Sequence, residues 1–193
     1  MPPSDPGAST CTADIFPKEA IAQLNRYADA RAGQAEQGGV VLADAKHVRA
    51  ADVRRSEVVW LEQGPESQPI YGLIAEVVQQ MNARVFDLEL KSFTEPFQIA
   101  TYTAAAKGFY GWHVDIGAGR LSNRKLSLVV PLTDPAEYEG GAFEVFHDSE
   151  PTRIEMPLGR IVAFPSYLLH RVTPVTRGVR RTMAVWVSGP PFR

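Results

Sequence analysis

Two histidines and an aspartate stand out in this 193-residue chain as groups able to do chemistry together. The stretch Gly111-Trp112-His113-Val114-Asp115 sets an imidazole and a carboxylate two positions apart. On a β-strand, side chains two apart leave the same face. The pair can then chelate a metal from two sides, with a third ligand supplied from elsewhere in the fold. His170, in Leu168-Leu169-His170-Arg171-Val172, is the best candidate. Its rival His147 lacks a suitably placed downstream arginine and reads as a loop-edge residue. His47 reads as solvated. Two histidines and a carboxylate on one face of a metal describe the non-haem Fe(II) facial triad, whose open positions admit a co-substrate and O2.

Ten residues beyond His170, Arg180 opens an apolar run over 180–187. Strand alternation puts Arg180, Thr182, Ala184 and Trp186 on one face, and Arg181, Met183, Val185 and Val187 on the other. A fixed guanidinium makes a bidentate pair with a carboxylate. That is the role expected of an anchor for 2-oxoglutarate. The parity with Trp186 favours Arg180 over its neighbour Arg181.

These groups need a scaffold, and the second half of the chain supplies strand signals. Short alternating apolar runs cover 86–90, 97–102, 110–114, 125–132, 142–146, 160–164 and 180–187, broken by Gly and Pro. Strands this short and numerous imply a sandwich or barrel. Gly140 and Gly141 read as a tight turn or bulge. Ahead of this β region, Ala20, Ile21, Leu24, Tyr27 and Ala28 recur at helical spacing after Pro17. A second helix is expected from near Pro69 through Ile70, Leu73, Ile74, Val77, Val78 and Met81. The two helices are expected to cover one face of a sheet. Residues 34–57 read as a long polar connection, and 58–61 as a short strand. The class is α+β, mainly β, in a single domain over 1–193. Within it, 1–13 is a flexible tail, 14–85 the helical cover and loop, and 86–193 the core.

Composition narrows the partners. Twenty Lys+Arg against 22 Asp+Glu give a net charge of -2, which argues against a dedicated nucleic-acid binder. The one cysteine, Cys11, has no partner in the chain for a disulfide or a Cys-based zinc site, so any metal must be held by His and carboxylates. No targeting signal and no apolar run near the roughly 20 residues of a membrane span are seen, so a cytoplasmic protein is expected. Arg49, Arg54, Arg55, Arg120, Arg124 and Lys125 lie in the connection and in the loop after His113-Val114-Asp115. Charged loops are ordinarily solvated. If these rim the site, they favour an anionic or polar substrate. Trp112 reads equally as a residue of the substrate mouth or of the outer sheet.

The segment from about Gln98 to Trp186 resembles the catalytic core of the Fe(II)/2-oxoglutarate dioxygenases, in the prolyl 4-hydroxylase-like branch that includes the PKHD-type hydroxylases. The resemblance is carried by Gly108-Phe109-Tyr110-Gly111-Trp112-His113-Val114-Asp115, Leu126-Ser127-Leu128, Leu132-Thr133-Asp134-Pro135 and Tyr138-Glu139-Gly140-Gly141-Ala142-Phe143. It continues in Phe164-Pro165-Ser166, His170-Arg171-Val172-Thr173-Pro174-Val175, Gly178-Val179-Arg180 and Trp186. An HxD alone is common; these blocks in this order are specific.

The resemblance implies a double-stranded β-helix (a jelly roll, cupin-like) with N-terminal helices packed on one sheet. It implies Fe(II) on His113, Asp115 and His170, with 2-oxoglutarate and O2 as co-substrates and ascorbate as a further cofactor. Arg180 would pair with the C5 carboxylate of 2-oxoglutarate, Tyr102 would lie near that co-substrate, and Ser127 would add a hydroxyl contact. Because Asp115 is present, hydroxylation is implied and halogenation is not. The expected reaction hydroxylates an unactivated C–H of an amino-acid side chain in a peptide or protein, with 2-oxoglutarate decarboxylated to succinate and CO2. Two alternatives stand beside it: the same chemistry on a free amino acid or small metabolite, and a non-catalytic metal-binding jelly-roll module.

Overall fold

A computed structural model describes residues 9–41, 47–48, 51–147 and 149–192, with 40–41 and 47–48 described by backbone alone. The first eight residues, the side chain of His47, and Arg49 lie outside what is described. Strand β1 (Cys11–Asp14) precedes helix α1 (Lys18–Ala30). Short strands β2 (Glu36–Gln37), β3 (Val40–Val41), β4 (His47–Val48) and β5 (Arg54–Arg55) follow, then β6 (Glu57–Leu61) and helix α2 (Gln68–Met81). The β region holds β7 (Phe97–Thr103), β8 (Phe109–His113), β9 (Arg124–Pro131), β10 (Glu139–Gly140) and β11 (Phe143–His147). It continues with β12 (Glu150–Ile154), β13 (Arg160–Pro165), β14 (His170–Val172), β15 (Val175–Arg177) and β16 (Val179–Ser188).

Two sheets face each other. The larger has seven strands in the order β1-β13-β9-β16-β7-β6-β2, and the smaller has five in the order β12-β11-β14-β8-β5. Neighbours that are distant in sequence pair antiparallel, giving the jelly-roll arrangement. Alternation along β7, β9 and β16 gives the larger sheet two apolar faces. Phe97, Ile99, Leu126, Leu128, Met183 and Val185 pack outward under α1 and α2. Their alternates, among them Ala100 and Tyr102, face inward with Phe164 toward Phe143, Val145 and Val172 of the smaller sheet. The helices meet the outer face through Ile21, Leu24, Ile74 and Val78, the helical stripes expected from spacing.

Three expectations are corrected. Residues 11–13 are not a tail: they form β1, paired with β13 so that Cys11 lies opposite Ala163, and the Cys11 thiol is buried in the helical core. The run 86–90 is not a strand. The Asn82 side chain binds both the N–H and the C=O of Leu88, at 3.0 and 2.9 Å, and so ties the exit of α2 into a closed turn. Leu88 and Leu90 then pack on the core without a ladder. The polar connection contains strands at both ends, with β2 on β6 and β5 on β8. No helix among the described residues is long and apolar enough to cross a membrane.

Candidate metal and co-substrate site

Pairing of β8 with β14 sets His113 opposite His170, with ring centroids 4.1 Å apart. Both rings are held by the same device. His113 Nδ1 lies 2.8 Å from the Gly111 carbonyl, and His170 Nδ1 lies 2.8 Å from the Leu168 carbonyl. A carbonyl only accepts, so Nδ1 carries the proton and Nε2 keeps its lone pair for a ligand. Tyr110 stacks on His113 at 3.4 Å, and Phe164 packs edge-on against His170 at 4.7 Å.

Asp115 arrives by a different route from the one its spacing suggests. Strand β8 ends at His113, so strand parity does not place the carboxylate. The chain turns, and the N–H groups of Asp115 and Ile116 donate to the Ser166 carbonyl at 2.9 and 3.0 Å. This anchor at the end of β13 brings Asp115 Oδ1 to 3.7 Å from His113 Nε2, and Oδ2 to 3.7 Å from His170 Nε2. These separations are too long for hydrogen bonds. The three ligand atoms lie within 4.8 Å of one another, a spacing that could hold one ion.

The electrostatics agree with a metal site. Burial, then the neighbouring His170, push His113 down to about 3, so the imidazole is neutral near pH 7. Burial pushes the Asp115 carboxyl up, but His170, His113 and Arg124 outweigh it and hold its pKa below the ordinary value. A neutral His113 imidazole and an ionised Asp115 carboxylate beside His170 Nε2 fit Fe(II).

A small cavity of about 50 Å³ is lined by His113, Asp115, His170, Tyr102, Thr182 and Arg180. The inward face of β16 holds Arg180, Thr182, Ala184 and Trp186, as alternation requires. Arg180 is only 2% exposed, and among the described residues its Nε has no hydrogen-bond partner. Its cross-strand partner is Tyr102, whose ring lies 5.4 Å from the guanidinium. A buried guanidinium with an unpaired donor is a built anion site. A Cβ on Gly141 would lie 2.7 Å from Arg180 Cδ, so the glycine, at φ +58, leaves room for the anchor. Trp186 Nε1 is likewise buried and unpartnered among the described residues. Ser127 sits across from Trp186, with its hydroxyl 3.0 Å from that of Ser166, and it helps to hold Asp115 ionised. Its contacts are therefore with the metal turn.

The remaining sequence candidates separate cleanly. His147 pairs with Ser9, away from the cluster. Trp112 belongs to the outer face of the smaller sheet, edge-on to Phe146 and beneath Arg171. Arg181 is not a solvated charge: it binds Asn25 and Asp29 of α1. The solvated reading also fails for Arg54, Arg124 and Lys125, all buried. Arg124 forms a two-point ion pair with Glu95, donates to the Asp115 carbonyl at 3.1 Å and lies 3.8 Å over the Trp186 ring. Trp60 and Gln98, not singled out from sequence, line a second cavity of about 720 Å³ that opens from the metal cluster. Alternation along 97–102 was the available signal for Gln98, since it puts Gln98 on the face of Tyr102.

Residues 97–188 match the family described as the 2OG-Fe(II) oxygenase superfamily. A PKHD-type hydroxylase of Prochlorococcus marinus is 36% identical over 111 residues, which are 56% of this chain and 50% of that protein. One from Stenotrophomonas maltophilia is 29% identical over 185 residues, covering 91% of this chain and 76% of the relative. The chain thus spans about half the length of the first of these curated relatives. A prolyl-4-hydroxylase of Pseudomonas putida superposes with a TM-score of 0.75 at 21% identity, covering 95% of this chain and 94% of that one. A prolyl hydroxylase of Trichoplax adhaerens, solved with a peptide fragment of hypoxia inducible factor, superposes at 0.73 and 17% identity, covering 94% and 84%. The structural likenesses carry the fold. The sequence matches make residues 97–188 similar to the 2OG-Fe(II) oxygenase superfamily, and the relatives they pick out are PKHD-type hydroxylases.

Proposed function

We propose that the chain is a dioxygenase that uses Fe(II), 2-oxoglutarate and O2 to hydroxylate an amino-acid side chain in a peptide or protein, as the hydroxylase names of its relatives suggest. One observation carries the reading. The converging Nε2 atoms and carboxylate of His113, His170 and Asp115 share a cavity with the buried, unpaired guanidinium of Arg180.

In this reading His113, Asp115 and His170 hold the iron. The bound metal supplies the redox chemistry that activates O2. Arg180 holds the far carboxylate of 2-oxoglutarate, with Tyr102 as the adjoining wall. The carbonyls of Gly111 and Leu168 keep both imidazoles in the ligating tautomer. The aromatic shell of Tyr110, Phe164 and Trp186 excludes water. Ser127 and Arg124 steady the Asp115 turn.

The same chemistry on a free amino acid is a second reading, favoured by one feature. The 720 Å³ cavity falls within the roughly 300–1,000 Å³ that encloses small ligands.

The test is anaerobic addition of Fe(II) and 2-oxoglutarate, read by the visible band of the complex, followed by O2 and assay of succinate. The intact protein is expected to give both. His113→Ala is expected to lose the band. Arg180→Gln is expected to keep the iron and weaken 2-oxoglutarate binding about 100-fold, the scale of one lost buried charge pair. Absence of the band in the intact protein would overturn the reading.

A further inference from the structure

We propose that Arg54 is a substrate-binding residue and that the substrate presents a carboxylate to it. That carboxylate is either the α-carboxylate of a free or C-terminal residue, or the side chain of an acidic residue beside the one hydroxylated. The proposal rests on the oxygenase reading only for where the reacting carbon lies.

Arg54 sits on β5, opposite Tyr110 at the edge of the smaller sheet, and is 6% exposed. Its Nε donates to Ser56 Oγ at 2.8 Å, Nη2 to Gln98 Oε1 at 2.6 Å and Nη1 to the Gly39 carbonyl at 3.4 Å. All three acceptors are neutral. A guanidinium has five N–H groups, so two stay free of these bonds. A buried cation held by dipoles alone keeps its charge available for an anion. Arg54 lines both the small cavity and the large one.

Three of the other charges around the large cavity, Glu95, Arg124 and Asp115, are already committed. Glu95 is taken by Arg124, and Asp115 by the metal cluster. Arg54 and the rim residue Arg120 remain, against Glu36. The surplus is positive.

The position of Arg54 sets the distance. Its guanidinium lies 4.6 Å from the Tyr110 ring centre, and Tyr110 stacks on His113. One aromatic ring separates the cation from a metal ligand. These separations put the guanidinium at most about 8 Å from the His113 ring, roughly two residues at ~3.6 Å each, so a carboxylate bound there belongs to the reacting residue or to a near neighbour. The internal backbone of a neutral peptide has no such group. The Gly38-Gly39 segment packs closely on this pair, because a Cβ on Gly38 would lie 2.4 Å from Ser56 Oγ and 2.6 Å from Arg54 Nε. Delivering Arg54 to the cavity thus gives the polar connection over 34–57 a function.

Trp60 and Trp186 line the same cavity, so tryptophan fluorescence can report binding. The probes are N-acetyl L-amino acids against their carboxamides, and acetyl-Asp-Pro-amide against acetyl-Asn-Pro-amide. The protein is held with Mn(II) and saturating 2-oxoglutarate, which fills the pocket at Arg180 without turnover. In at least one pair the carboxylate member is expected to bind 10-fold or more tightly than its neutral partner. The first set answering alone identifies an α-carboxylate; the second alone identifies an acidic neighbour. Arg54→Gln is expected to erase the preference, and Arg54→Lys to keep part of it at several-fold weaker affinity. Equal binding of acid and amide in every pair, no binding by any probe, or a preference unchanged in both Arg54 variants overturns the proposal.

Repeating the titration on Arg180→Gln protein, with neither metal nor 2-oxoglutarate, separates the two readings. An acid preference there, in a protein whose parent shows no 2-oxoglutarate band, sustains Arg54 and sinks the oxygenase reading. A normal band with no acid preference does the reverse.

Discussion

At the level of single residues, Arg180 shows how much a side chain depends on what its neighbours lack. Its guanidinium is buried, and its Cδ occupies the space that a Cβ on Gly141 would need. Gly141→Ala therefore pushes on the anchor, while Gly140→Ala meets backbone, the Pro174 carbonyl at 2.1 Å. The two neighbouring substitutions are expected to differ in kind. Gly141→Ala weakens 2-oxoglutarate binding by about 10- to 100-fold, the cost of an ångström-scale displacement. Gly140→Ala mainly lowers the thermal midpoint. Titration of the 2-oxoglutarate band alongside thermal melts reads both, and equal effects on affinity would defeat the distinction. His113, His170 and Arg180 were legible in sequence because strand alternation and an ordered motif point to them. Arg54 stood in the sequence only as one of six basic residues that could rim the site, because the contacts that single it out, Gln98, Tyr110 and the Gly38-Gly39 segment, are distant along the chain.

At the level of elements, the ends of strands proved harder to read than their middles. Alternation along β16 gave its two faces correctly, because each side must pack or be solvated as a unit. Asp115 was assigned to a strand but sits in a turn, and its position depends on the Ser166 carbonyl some fifty residues later, which no local pattern encodes. Strand β1 was missed for a similar reason: a short segment becomes a strand only because β13 offers an open edge. Beyond its ladder, β1 is tied by Arg160, which donates Nε to Asp14 Oδ1 at 2.6 Å and Nη2 to Oδ2 at 2.8 Å. That hydrogen bonding lowers the Asp14 pKa below its ordinary value. A lowered carboxyl pKa contributes stability above the unfolded value, lost as pH falls through the folded one. The pair is solvent-exposed, so the contribution is expected to stay under about 1 kcal/mol. An NMR titration of the Asp14 carboxyl should give a midpoint below the usual range near ~3.9. Arg160→Gln should move it back up, and an unchanged midpoint would remove the latch.

Across the whole molecule, the larger sheet separates two apolar layers with different duties. The layer under α1 and α2 carries most of the buried aliphatic mass, including Ile74 and Met183, both fully buried. The inner layer is smaller and includes residues that touch the metal ligands, such as Phe164 against His170. Among the described residues, β6, β7, β9 and β13 of the larger sheet stand between the layers and give side chains to both. A cavity opened outside should therefore cost stability without disturbing the site. Ile74→Ala is expected to lose about 2–5 kcal/mol in denaturant unfolding, with 2-oxoglutarate affinity within about twofold of the parent. Phe164→Ala removes the wall beside His170, so it is expected to lose about 3–5 kcal/mol and also weaken metal binding. If Ile74→Ala disturbed the site as much as Phe164→Ala, the sheet would be transmitting strain between its faces. Such a molecule would respond as one core, and the helical cover would be part of the site it overlies.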